Sequence, residues 1–268
     1  MFVDGLPSTW QLSFFRNYYY WGKRDYVRHE VDLFRALSNP ARASLDIGAN
    51  EGLYAMYLCR FAKSLTCFEP LPWMVEQLQK KFSGTGNVKI NHCALGSRTE
   101  TAVIKIPVTK DKQYDTRSSL VGGFSEQLID GSGVVSVKEL PVSVKRLDDF
   151  QLRDIGFIKI DVEGFELEVL KGGRETITRE QPNLYIEIEQ KHHLADPIEQ
   201  VFEFVEKMGY AGFFEFQDRV LPVSQFKVSV HQPAGAGKEY TGDFIFVPDG
   251  SPLAAKLSAG GSLPDCLH

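Results

Sequence analysis

Apolar residues recur along this chain in two rhythms. Short apolar runs of strand length at 45–47, 64–68 and 88–91 alternate with stretches of helical spacing at 53–62 and 72–82. After residue 155 the same alternation resumes. It predicts strands at 156–161, 183–189 and 210–216, helices at 165–179 and 197–208, and a last strand at Gly242–Val247. Alternation this close implies a parallel sheet with right-handed crossovers. Nearer the N-terminus, His29 to Leu37 reads as a helix stopped by Asn39-Pro40.

Between residues 91 and 156 the rhythm breaks. Thr101–Val108 and Val134–Val144 alternate apolar residues with lysines, as half-covered strands do. Between them Asp111–Gly133 is rich in Gly, Ser and Asp, which is loop chemistry. We therefore expect an antiparallel extension carrying a long acceptor-side loop, with Ser118 and Ser119 either contacting ligand or forming turns. The expected organisation is a cap at residues 1–40, a main domain at 41–248 with 97–145 inserted, and a loose tail at 249–268 rich in small residues. The aromatic cluster Phe14–Trp21 in the cap either covers a sheet edge or lines an acceptor pocket.

Candidate chemistry starts in Leu45–Tyr54, which reads as strand, glycine turn and helix opening. Such a unit builds a nucleotide-sized crevice at a strand's carboxyl end. A dinucleotide fingerprint needs a second glycine two positions after the first, so that a pyrophosphate can approach the backbone. Here that position after Gly48 is Asn50. The turn suits an adenosyl ligand without a pyrophosphate better than NAD. Glu69 closes the next strand 23 residues after Asp46, where a carboxylate accepts hydrogen bonds from ribose hydroxyls. The plainer reading is that Asp46 and Glu69 only cap helices.

Asp46-Ile47-Gly48-Ala49-Asn50-Glu51-Gly52-Leu53-Tyr54, Phe68-Glu69-Pro70, Cys93-Ala94-Leu95-Gly96, Ser118-Ser119, Leu147-Asp148-Asp149 and Ile158–Glu166, with Pro182 and Glu187 downstream, together resemble the FkbM family of S-adenosylmethionine-dependent methyltransferases. The resemblance runs from about residue 45 to 190. It implies a class I methyltransferase fold: a Rossmann-like α/β architecture with a mostly parallel seven-stranded sheet and helices on both faces. It also implies O-methylation of a hydroxyl, often on a saccharide or natural product. Carried over, it assigns cofactor binding to Asp46, Gly48, Ala49, Asn50, Gly52, Tyr54, Glu69 and Pro70, with backbone at Ala94 and Leu95 framing the adenine.

A buried parallel strand should be apolar throughout, and two segments here are not. Alternation puts Lys159, Asp161 and Glu163 on one face of the first and Tyr185, Glu187 and Glu189 on one face of the second. Burying unpaired charge costs several kcal/mol, so the arrangement needs a compensating reason. Methyl transfer to an alcohol needs an in-line nucleophile and a group to take its proton, the latter worth roughly 10²–10⁴-fold. Asp161 is expected nearest the transferring methyl, with Lys159 setting its ionisation and Glu163 and Glu187 orienting the acceptor. Three plainer accounts compete. Lys159 and the carboxylates form only a structural ion pair; Asp161, Glu163 and Glu187 with His192 or His193 hold a divalent cation; Gly164 serves only the strand-to-helix turn. No fixed ligand spacing marks a metal, and none is expected. His92, at a strand end, reads as structural before it reads as a base.

Composition narrows the partners. A formal charge of −5 with no basic stripe argues against nucleic acid. No apolar run approaches the ~20 residues of a membrane span, and the first residues lack a secretory pattern. The four cysteines, Cys59, Cys67, Cys93 and Cys266, have no metal or redox spacing, so a reducing cytoplasm is expected. Two other functions remain open: a cofactor-binding scaffold without turnover, and an NAD-dependent oxidoreductase disfavoured by Asn50.

Overall fold

The computed structural model describes residues 24–109, 134–193, 197–233 and 240–267. The Phe14–Trp21 cluster, the 111–133 loop and Ser118 and Ser119 lie outside these residues.

The alternating pattern produces the elements it predicts, in chain order: α1 (Arg24–Leu37), β1 (Ala43–Ile47), α2 (Ala55–Phe61), β2 (Ser64–Glu69), α3 (Pro72–Lys81) and β3 (Val88–His92). Then follow β4 (Ala94–Leu95), β5 (Glu100–Thr109), β6 (Val134–Lys145) and β7 (Ile155–Ile160). After these come α4 (Glu166–Gly172), α5 (Arg174–Glu180), β8 (Asn183–Glu187), α6 (Glu199–Glu206), β9 (Tyr210–Phe216) and β10 (Arg219–Pro222). The chain closes with α7 (Val228–His231), β11 (Asp243–Pro248), α8 (Pro252–Ser258) and α9 (Leu263–Leu267).

The main sheet runs β10-β9-β11-β8-β7-β1-β2-β3. Strands β3, β2, β1, β7 and β8 pair in parallel, and β11, β9 and β10 complete the sheet antiparallel. This is the α/β architecture expected, with one more strand than the seven anticipated. The extra strand, β10, is four residues after a tight turn at Gln217-Asp218, both with positive φ. It is too short to show alternation. Apolar side chains fill both faces of the sheet, one cluster centred on Ile158, Ile160, Leu184 and Phe244, the other on Phe34, Phe157, Tyr185 and Ile245.

A second sheet, β4-β6-β5, is the expected antiparallel extension. Its two-residue strand β4 follows β3 directly, so the extension is fastened at the carboxyl end of the main sheet. The helix expected at 165–179 is instead α4 and α5, broken at Gly173. Gly172, the last residue of α4, must be a glycine: a Cβ would lie 1.9 Å from the Gly96 carbonyl oxygen. The close approach packs α4 onto the segment after β4.

The C-terminal residues differ from the loose tail anticipated. Ser251 caps α8 by accepting a hydrogen bond from the Ala254 N–H at 3.1 Å, with Pro252 in the first turn. Ala254, Leu257, Leu263 and Cys266 are buried in the same cluster as Phe34 and Ile245. The small residues hid a one-sided apolar stripe. Leu257→Ala is therefore expected to lower the unfolding free energy by about 2–4 kcal/mol in urea denaturation. An unchanged midpoint would show that this segment does not hold the core.

Candidate active site

Chain order reverses between β1 and β7. From β1 the chain goes outward to β2 and β3, and from β7 it goes the other way to β8. Ligands bind such a sheet outside the carboxyl ends of its strands at the reversal. A cleft lies there, lined by Ile47, Gly48, Asn50, Phe68, Glu69, Pro70 and Leu71. Cys93, Ala94, Leu95, Ile104, Asp161, Val162, Glu163 and Phe165 complete the lining.

Gly48 closes the base of the cleft. The Asp161 N–H donates to the Ile47 carbonyl at 3.0 Å, extending the β1–β7 pairing one residue past β7. That brings the Asp161 backbone so close that a Cβ on Gly48, at φ +80°, would lie 1.9 Å from its carbonyl oxygen. Asn50 also adopts a left-handed conformation, at φ +48°. Glu69 holds this turn. Its Oε2 accepts from the Asn50 N–H at 2.8 Å and its Oε1 from the Leu71 N–H at 2.9 Å. Burial, at 4% exposure, pushes its pKa up to about 7 against the pull of those two hydrogen bonds.

Of the charged face expected from the sequence, Lys159 and Asp161 meet, whereas Glu163 turns to His192. Asp46 on β1, Lys159 on β7 and Tyr185 on β8 are direct neighbours across three strands. Lys159 is 2% exposed and donates to Asp161 Oδ2 at 3.0 Å, while Asp46 Oδ1 lies 3.8 Å away. The Tyr54 ring covers the ammonium, with its centroid 5.0 Å off. Burial works against the Lys159 charge, but Asp161, Asp46 and Glu187 outweigh it and raise the pKa. Asp46 accepts no hydrogen bond among the described residues, and burial lifts its pKa to about 6.

Behind Tyr54 lies Glu30 of α1, which sequence reasoning missed. The Tyr54 and Tyr185 hydroxyls donate to its carboxylate at 2.5 and 3.1 Å. Burial raises its pKa to about 7. A signal was available: Glu30, Leu33, Phe34 and Leu37 share one helical stripe, so a carboxylate stands in an apolar face.

The structure thus separates the residues named from sequence. Gly48, Asn50, Glu69, Pro70, Ala94, Leu95, Asp161 and Glu163 line the cleft. Asp46, Lys159 and Tyr54 lie behind it, gripping one another. Ala49 N–H donates to the Phe68 carbonyl at 3.1 Å, and Gly52 turns the chain at φ +77°, both shaping the loop from outside the cleft wall. Glu187 stands opposite Asp243 across β8 and β11. Burial, then Asp161 and Asp243, raises its pKa well above the usual range. Glu163 leaves the strand at φ +50° and meets His192 at 2.5 Å. His193 pairs with Glu166 at 2.8 Å, apart from the charged face. His92 lies at the surface, its Nε2 3.1 Å from the Pro70 carbonyl oxygen. Leu71 and Ile104 belong to no motif named from the sequence; both stand next to recognised features, Pro70 and the inserted strands.

The sequence matches the Methyltransferase FkbM domain over residues 46–211, more than half of the chain. The chain belongs to the FkbM methyltransferase family. Methyltransferase sdnD of Sordaria araneosa is 27% identical over 209 residues, covering 68% of this chain and 78% of the relative. The 2-O-methyltransferase NoeI of Sinorhizobium fredii is 29% identical over 156 residues, covering 53% and 62%. A crystal structure of FkbM from Methylobacillus flagellatus superposes with a TM-score of 0.49 at 18% identity, covering 80% of this chain and 47% of that one. No described helix is long and apolar enough to cross a membrane. The protein is a methyltransferase, and the residues lining the cleft all fall within the matched range.

The raised carboxyl pKa values have a consequence for stability. Glu30, Glu69 and Asp46 keep a proton in the folded chain at pH values where the unfolded chain, near ordinary carboxylate pKa values, has lost it. Between about pH 4.5 and 7 the folded state therefore binds more protons, and stability falls as pH rises. Urea denaturation across that window is expected to show the decline, and Glu30→Gln to flatten part of it. A stability that rises over the same window would contradict the buried carboxyls.

Proposed function

We propose that this methyltransferase transfers the methyl group of S-adenosylmethionine to a hydroxyl of a saccharide or other small-molecule acceptor. The residues of the cleft suit such a donor. Each Glu69 oxygen already accepts one backbone N–H and retains a second lone pair for a ribose hydroxyl. The buried Asn50 Oδ1 accepts no hydrogen bond among the described residues, although it stands in the cleft wall. Pro70, Ala94 and Leu95 offer an apolar slot of the kind that takes a flat purine. Asn50 leaves less room for a diphosphate than a glycine would.

One observation carries the chemistry: Asp161 lines the cleft and is held there by a buried ammonium. When bound, S-adenosylmethionine supplies an electrophilic methyl on a positive sulfonium, and its sulfur leaves neutral. Electrophilic assistance is then unneeded, and the chain's task is to place the acceptor oxygen and take its proton. Asp161 accepts that proton. Lys159, held by Asp46 and covered by Tyr54, fixes that carboxylate in place. Glu163, beside it in the wall, and Glu187, behind it, orient the acceptor. NoeI, by its name, methylates a 2-hydroxyl, which supports an oxygen acceptor here.

Incubation with labelled S-adenosylmethionine and a panel of glycans, glycolipid precursors and small alcohols tests this. Label should pass to one acceptor class. Asp161→Asn should lower turnover roughly 10²–10⁴-fold with donor affinity retained. Full activity in Asp161→Asn would remove the proposed role.

A further inference from the structure

A second group of side chains converges beside the cleft, on the far side of Asp161 from the glycine turn. Glu163 follows β7 in a left-handed conformation and lines the cleft. Glu189 and His192 belong to the turn after β8, where residues 190–192 form a short 3₁₀ helix. His192 Nε2 lies 2.5 Å from Glu163 Oε2 and 3.1 Å from Glu189 Oε2. One ligand atom from each of the three lies within 4.8 Å of the others. All three residues are partly shielded from solvent, none is fully exposed.

Two carboxylates held this close repel unless positive charge stands between them. In the chain alone, the imidazole stands between them. Lys191 adds an ammonium 2.5 Å from Glu189 Oε2, and the Tyr240 side chain also hydrogen-bonds Glu189. The Lys191 side chain is 59% exposed, so it is free to turn into solvent. Around the group the backbone is braced: the Gly164 N–H donates to Glu166 Oε1 at 2.8 Å, and Glu166 Oε2 meets His193. The imidazole nitrogen and the two carboxylate oxygens converge on one point, as the donors around a metal ion do.

We propose that Glu163, Glu189 and His192 bind one divalent cation of the Mn²⁺, Fe²⁺ or Zn²⁺ class at the edge of the methyl-transfer cleft. Two carboxylate oxygens and one imidazole nitrogen suit these borderline cations better than Ca²⁺ or Mg²⁺, which favour oxygen alone. Ligand distances of about 2.0–2.2 Å put neighbouring donors roughly 3 Å apart, close to the His192 contacts present. Binding displaces the Lys191 ammonium from Glu189. Three protein ligands leave coordination positions for something else. Because Glu163 lines the cleft, and on the proposed methyl-transfer reading, that partner is the acceptor hydroxyl. A coordinated hydroxyl is more acidic, as coordinated water is. Its proton then passes to Asp161, its oxygen forms the new C–O bond, and the C–S bond pair stays with sulfur. This cation would differ from the one considered from sequence: Asp161 and Glu187 are not among its ligands.

Titration of the full-length protein with Mn²⁺, followed by loss of the free-ion electron paramagnetic resonance signal, tests the site without donor or acceptor. One saturable site is expected, weakening as pH falls. Glu189→Ala and His192→Ala should each weaken it roughly 10-fold or more. Lys191→Ala should tighten it, because a competing ammonium is gone, an effect that a purely structural ion-pair network does not produce. Circular dichroism melting checks that each variant is folded. No saturable binding to the wild-type chain would overturn the proposal. So would folded His192→Ala binding as tightly as wild type, or weaker binding in Lys191→Ala. A failed titration alongside successful label transfer would reject the metal and leave the methyl-transfer reading standing.

Discussion

The structure depends on one buried ammonium. Lys159 sits in β7, an interior strand of the sheet, almost fully out of water. A lone charge there is severely unfavourable, so its neighbours are constrained. Asp46 must face it from β1, Asp161 must stand at the strand end above it, and Tyr54 must cover it from the N-cap of α2. Those requirements tie the glycine turn, the helix entry and the cleft floor into one unit. Gly48 follows from the same demand, since only a glycine lets β1 approach the Asp161 backbone.

Charge on this face does not balance. Asp46, Asp161, Glu187 and Glu30 cluster about one ammonium, and burial raises the pKa of Asp46, Glu187 and Glu30. The region therefore favours protons or any other positive charge that reaches it. A sulfonium entering the cleft would find a field of the right sign, and its neutral sulfide product would not. Helix α1 takes part in this although the family match begins after it, at residue 46. Its Glu30 anchors both tyrosines that pack around Lys159.

Much of this was legible in the chain. The alternation of strand and helix periods gave the parallel core, and the charges interrupting 158–163 and 184–189 marked the strand ends where buried charge gathers. The glycine turn and Glu69 pointed to the cleft. What escaped had physical reasons. Period-two alternation ends where the backbone leaves the strand, so Glu163 turned toward His192 and away from Lys159. β10 is too short to carry a period. Small residues in α8 and α9 disguised a buried stripe. Residues that bury charge and residues that touch ligand look alike in sequence. Only the geometry put Asp46 and Tyr54 behind the wall and Asn50 and Glu69 in it.

The central claim is that Glu69 and the glycine turn hold an adenosyl donor. Isothermal calorimetry of the wild-type protein and Glu69→Ala with S-adenosylmethionine, and with NADH, tests it most directly. The account predicts one-to-one binding of S-adenosylmethionine, weakened roughly 10-fold or more when the buried hydrogen-bonded carboxylate is removed, and no comparable binding of NADH. Tight NADH binding, or S-adenosylmethionine binding indifferent to Glu69, would contradict it.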